Sequence, residues 1–152
     1  MRWKVLVSSF IIVFLVALIG NFFTSGNVKS EWYESIKPAI TPPNYVFPIV
    51  WTILFILIAL SLYFAWIKAR KEEEKNIVVL VFTGNLFLNI IWSFLFFTLK
   101  NPLYAFYHIF LLEFSIILMI VALWKIEKKA AYLLIPYLLW VSFAMILNYL
   151  AI

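Results

Sequence analysis

Residues 45–67 read YVFPIVWTILFILIALSLYFAWI, twenty-three positions without one formal charge. A helix of that length rises about 35 Å, enough to cross a hydrocarbon core of about 30 Å. Outward from it lie four similar runs, Val5–Phe23, Ile77–Leu99, Leu103–Trp124 and Ala130–Ile152. None alternates apolar with polar residues as a barrel strand does, so helices are the spanning structure. Of the 152 residues, 66% are hydrophobic and 12% charged, against roughly 45–50% and 25% in soluble domains. Lipid must therefore be the solvent for much of this surface. The expected fold is all-α, an integral membrane bundle of five transmembrane helices. It forms a single domain over residues 1–152, with an ordered outer loop over residues 24–44.

The first run follows Arg2 and Lys4, as the core of a signal peptide does. It is longer than a usual signal core, and Phe22-Phe23-Thr24 is a poor cleavage site, so a retained helix is expected. Basic residues then set the orientation. Arg2, Lys4, Lys68, Arg70, Lys71, Lys75, Lys125, Lys128 and Lys129 fall on one side, and only Lys29, Lys37 and Lys100 on the other. The positive-inside rule places the amino terminus in the cytoplasm and the carboxyl terminus and first loop outside. The expected location is the cell (cytoplasmic) membrane; in an organelle, "inside" is reread. The net charge of +5 is scattered at the ends of apolar runs, and no nucleic-acid partner is expected.

Three of the connections are short, so sequential helices are expected to pack as antiparallel neighbours. Glu72-Glu73-Glu74 reads most simply as a solvated turn. The long first loop carries Trp32, Tyr33, Pro38, Pro42 and Pro43, a composition that argues for order. Thr41-Pro42-Pro43 reads as a cap and first turn for the second span.

Polar and aromatic residues inside the spans are the informative ones. Asn85, Asn89, Trp92 and Phe96 share one face of the third span, and Trp140, Ala144 and Asn148 one face of the fifth. Trp51 lies about one turn below Pro48. Trp3, Trp66 and Trp124 sit at span ends and fit an interfacial belt, whereas Trp51, Trp92 and Trp140 lie farther inside. Two readings stand side by side. The asparagines are hydrogen-bonding glue between helices, or amides and indoles together wall a small-molecule pocket. Glu113 is the one formal charge deep in a span and is expected to be protonated or hydrogen-bonded. His108 does not share its face; it reads as an interfacial histidine or, less simply, a haem ligand. With no cysteine and a single histidine, no metal site, resident cofactor or acid–base catalysis is expected.

Three segments carry a resemblance. WYESIKPAITPPNYVFPIVWT at 32–52, TGNLFLNIIWSFLFF at 83–97 and IPYLLWVSFAMILNY at 135–149 resemble, in order and spacing, the loop, third-helix and fifth-helix signatures of the TspO/MBR family. These are the tryptophan-rich sensory or translocator proteins, once called peripheral-type benzodiazepine receptors. The pattern departs in a Trp32-to-Lys37 spacing one residue short, in Ile40 at a usually aromatic position, and in Asn85 for a common glutamine. No Tyr-x-Arg sterol-recognition tail follows, so sterol recognition by that route is not expected.

The resemblance implies a homodimeric membrane receptor or transport-type protein. Its ligands would be tetrapyrroles (porphyrin, haem) or other flat apolar molecules such as sterols, held in a pocket under the first loop. Carried over by motif, the ligand-binding residues are Tyr33, Pro42, Trp51, Asn89, Trp92, Trp140 and Ala144. Glu113 matches an acidic position on the family's fourth helix. Lys37 is a candidate partner for a propionate, or else a lysine reaching lipid headgroups. Some family members degrade porphyrin in light with the help of tryptophans, which would make Trp51 and Trp140 catalytic. A membrane stress sensor or scaffold acting through a protein partner is the third reading.

Overall fold

Five helices long and apolar enough to cross a membrane organise the computed structural model, which describes residues 2–152. In chain order they are α1 (Trp3–Thr24), a short α2 (Glu31–Ile36), α3 (Val46–Lys68), α4 (Glu72–Ser93), α5 (Pro102–Trp124), α6 (Lys128–Leu133) and α7 (Ile135–Leu150). Helix α4 runs on through a wider π-helical stretch, Phe94–Thr98, and α6 with α7 makes the fifth span. No strand occurs among the described residues. The all-α membrane bundle expected from the apolar runs is the one observed.

The helix limits differ from expectation in four places, each with a local cause. Glu72, Glu73 and Glu74 form the first turn of α4 rather than a turn outside it. Carboxylates favour that end of a helix, and the Glu74 side chain accepts the backbone N–H groups of Arg70 and Lys71 at 2.8 and 3.2 Å. Thr41 does not cap α3, which begins only at Val46. A residue before proline is disfavoured in the helical region, and Thr41 and Pro42, ahead of Pro42 and Pro43, lie outside the helix. Pro48 is tolerated two residues into α3 because a first-turn N–H has no helical partner. The fifth span breaks at Leu134, since Pro136 has no N–H to give the carbonyl of Tyr132. Finally, α4 widens after Ser93, where Leu99 N–H bonds the Phe94 carbonyl five residues back at 2.9 Å. That extra residue per turn turns both Phe96 and Phe97 inward, and both are buried.

The spans form a ring in which α1 packs on α3 and α4, α4 on α5, α5 on α6 and α7, and α3 on α6. One end of the ring is tight. Ser61 and Ala65 of α3 and Ala130 and Ala131 of α6 are completely buried, and Ser61 donates to the Ala130 carbonyl at 2.7 Å. Small residues let these two backbones approach closely. Toward the α2 end, α3 touches α7 only lightly, so the α3–α7 seam opens away from the α6 contact. Helix α1 fully buries only Ser9 and Val13; Phe10, Phe14, Val16 and Ala17 pack partly against the core, while Ile11, Leu15, Leu18 and Phe22 are exposed on its outer face.

The tight contact makes a direct prediction. Ala130→Leu overfills it and is expected to cost about 1–3 kcal/mol, seen as a lowered melting temperature in detergent. Ser61→Ala removes one interhelical bond and is expected to cost about 0.6 kcal/mol. A wild-type melt for Ala130→Leu would contradict the packing described.

Candidate ligand site

Polar side chains within the bundle are bonded to one another across helices. Asn85 of α4 donates to the Ser115 hydroxyl of α5 at 2.8 Å. The Tyr137 hydroxyl of α7 donates back to Asn85 Oδ1 at 3.1 Å and accepts from Asn89 Nδ2 at 3.1 Å. Nearer α2, the Trp92 indole N–H donates to Asn148 Oδ1 at 3.0 Å, and Asn148 Nδ2 donates to the Pro102 carbonyl at 2.8 Å. All three asparagines therefore join helices, and each is buried. Asn89 has no donor for its Oδ1 among the described residues.

The aromatic residues gather in two groups. The first lies under α2. Ser30 caps that helix by accepting the Tyr33 N–H at 3.2 Å, which sets Tyr33 against Phe96 and Phe97 with ring centroids 6.4 and 5.7 Å apart. Trp32 meets Phe96 at 5.8 Å, and Trp92 stacks on Phe96 at 5.1 Å. The Asn44 side chain donates to the Val28 carbonyl at 3.4 Å, joining the two ends of the connection. Burial raises the Tyr33 hydroxyl pKa above its ordinary value, with the nearby Glu34 carboxylate adding to it. Lys37 pairs with Glu34 at 2.8 Å, and its hydrogen bond holds that carboxyl below its usual range.

The second group lies on the α3–α7 seam. Phe47 meets Trp140 with centroids 5.8 Å apart, and Trp51, one turn below Phe47, meets Phe55 at 5.4 Å and Tyr137 at 6.2 Å. Phe143 lies 5.6 Å from Trp140. Here the seam holds a hollow of about 440 Å³ lined by Val50, Leu54, Pro136, Trp140 and Phe143 among others. Ile53 and Leu139 on its rim are exposed, so the hollow is shallow and opens outward from the bundle. Trp92 donates to Asn148, but the indole N–H groups of Trp51 and Trp140 donate to no described residue.

The eight residues expected at a site are thus not one cluster. Tyr33 and Trp92 belong to the first group, Trp51 and Trp140 to the second, and only Trp140 of the eight lines the seam hollow. Asn89 stands between them through Tyr137. Ala144 is half-buried one turn beyond Trp140. Pro42, ahead of α3, joins neither group. Glu113 sits apart on the α5–α7 seam, where the Ser142 hydroxyl donates to its Oε1 and also reaches the Leu138 carbonyl at 2.9 Å. Ser142 is about 200° round α7 from Trp140. His108 faces α4, its Nε2 2.8 Å from the Leu88 carbonyl. Sequence reasoning missed Tyr137 and Phe47. A hydroxyl in mid-span, which must find a partner in lipid, was the available signal for Tyr137; Phe47 gave none.

A bundle of five apolar spans tied by interhelical hydrogen bonds, with a hollow on the α3–α7 seam, defines a small polytopic integral membrane protein. Its family follows from comparison with known proteins: residues 9–151 match the TspO/MBR family model, and the chain belongs to that family. It is 41% identical over 145 residues to the tryptophan-rich protein TspO of Archaeoglobus fulgidus, covering 95% of this chain and 92% of that one. It is 40% identical over 136 residues to the protein of the same name from Chlorobaculum tepidum, covering 88% and 85%. To the human translocator protein it is 32% identical over 137 residues, covering 89% and 80%.

Removing the Tyr137 hydroxyl strands both amides it joins. Tyr137→Phe is expected to lower stability in detergent by about 1–3 kcal/mol. Adding Asn85→Leu to it should cost less than the sum of the two single changes, because the partners fall together. Additive losses would show that the two groups are not coupled.

Proposed function

We propose that the protein binds a flat, apolar ligand, a tetrapyrrole (porphyrin or haem) or a sterol-like molecule, on the α3–α7 seam below α2. The observation that carries this reading is the pair of indoles. Trp140 lines the seam hollow, Trp51 stands behind it against Tyr137, and neither indole N–H has an acceptor among the described residues. An N–H without a partner is costly in a medium without water. A ligand bearing a carbonyl, carboxyl or ring nitrogen supplies that partner, and its ring supplies the apolar contact. Asn89 Oδ1 offers an acceptor from deeper in the bundle. The human relative's name, translocator protein, adds movement of a cargo as a later step; binding is the step this arrangement supports.

The same reading places the amino terminus in the cytoplasm and α2 and the carboxyl terminus outside the cell membrane, on the asymmetry of basic residues. Acid groups of a tetrapyrrole would then lie toward α2. Lys37 is held by Glu34, so a propionate would have to compete with that pair. The protein is further taken to pair with a second copy. Gly84 on α4 supports this, because nothing stands within 4 Å of where its Cβ would be, leaving a flat spot for a helix.

Two outcomes are expected. Protoporphyrin should quench tryptophan fluorescence in the purified protein and keep its absorbance spectrum. Trp51→Phe with Trp140→Phe should weaken binding about tenfold, as two lost hydrogen bonds imply. Unchanged affinity would count against the seam, and light-driven loss of the porphyrin band would mean degradation rather than binding alone. Orientation is checked on a chain with no cysteine of its own. In intact cells an impermeant maleimide should label Lys29→Cys and spare Lys129→Cys; the reverse pattern would invert the topology.

A further inference from the structure

At the end of the bundle away from α2, helices α1, α3 and α4 part around a groove of about 450 Å³. It shares no residue with the α3–α7 seam. Its walls are apolar, from Trp66 near the end of α3 to Ile12 and Leu86 at the inner limit. Its polar groups are few: Lys4 and Ser8, one turn apart on α1, the buried Ser9, which bonds its own helix, and, deeper, Thr83 of α4. Among the described residues Lys4 makes no ion pair, and Lys4, Ser8 and Thr83 make no side-chain hydrogen bond.

The length of the groove restricts what fits. Lys4 to Ile12 on α1, and Val78 to Leu86 on α4, each rise about 12 Å, against about 15 Å for half the hydrocarbon core. The groove therefore reaches from one membrane surface almost to the midplane, the depth of a single leaflet. It is also open along the bundle's side, so a chain from that leaflet enters without crossing water. Charge restricts the headgroup. This end of the bundle carries nine lysines and arginines against four glutamates, and the α2 end three against two. A basic rim of that kind attracts anionic lipid.

We propose that the groove binds one anionic phospholipid of the surrounding leaflet. Its phosphate sits at Lys4, its glycerol ester at Ser8 one turn deeper, and one acyl chain lies between α1 and α4 against Trp66 and Leu86. The site is separate from the seam, and its occupancy does not depend on the ligand bound there.

Native mass spectrometry of the full chain in detergent tests this, with phosphatidylglycerol, phosphatidylcholine of the same chains, and palmitate as probes. Wild type is expected to retain one phosphatidylglycerol at least fivefold more tightly than phosphatidylcholine. Lys4→Gln should bring the two headgroups to parity, and Lys4→Arg should restore the preference. Ser8→Phe, which fills the groove from an exposed position, should remove the retained lipid while leaving the circular dichroism melt within a few degrees of wild type. If Ser8→Phe does not fold, Val79→Phe on the opposite wall serves the same purpose. Equal retention of both headgroups by wild type, or undiminished phosphatidylglycerol in a folded groove-filling variant, would overturn the proposal. So would palmitate retained more tightly than phosphatidylglycerol, which would make the occupant a free fatty acid. A wild-type dimer that carries no lipid and becomes monomeric on filling the groove would also overturn it, making the occupant a second copy.

Discussion

The hydroxyl of Tyr137 is the point on which the interior depends. It gives its proton to Asn85 and takes one from Asn89, while Asn85 reaches on to Ser115. Three helices are thereby held in one register by groups that have no water to fall back on. At the α2 end, Asn148 does similar work between Trp92 and the Pro102 carbonyl. Both ties fasten α7 to α4 and α5, and neither involves α3. Helix α3 is held instead at the opposite end, by close contact with α6. Between the two lies the break at Leu134 ahead of Pro136, which frees α7 from continuing the line of α6. Among the described residues no polar tie closes the α3–α7 seam that opens there.

This explains why the tryptophans differ in character although all three lie inside the spans. Trp92 is consumed by structure: its N–H is bonded and its ring is stacked beneath Tyr33 and α2. Trp51 and Trp140 stand on the open seam, with Phe47 bridging to Trp140 and Tyr137 backing Trp51. The asparagines do the joining, and the two remaining indoles donate to no described residue. The reading of the asparagines as glue between helices holds for all three, each of which bonds a neighbouring helix.

The five spans were legible because length and absence of charge are enough to specify a helix in lipid. Their ends were less so. Proline pairs, a mid-span proline and an acidic first turn each moved a boundary by acting on two or three backbone groups, which an apolar run does not register. The π-helical end of α4 had no sequence signal, yet it is what turns Phe96 and Phe97 together toward Tyr33. Spacing put Asn85, Asn89 and Trp92 on one face, and they share the interior as expected. Spacing could not say which partner each would find. Glu113 was expected to be protonated or hydrogen-bonded, and it is bonded to Ser142 on a seam away from the tryptophans. Long-range pairing of that kind depends on how helices are arranged round the ring, which periodicity within one helix does not contain.

The most direct test of the central claim is fluorine NMR of the protein with 5-fluorotryptophan at its seven tryptophans, assigned by single Trp→Phe changes and titrated with protoporphyrin. The Trp51 and Trp140 signals are expected to move together and saturate at one equivalent, while Trp3, Trp66 and Trp124 stay in place. Shifts confined to those three end-of-span residues, with Trp51 and Trp140 unmoved, would contradict it.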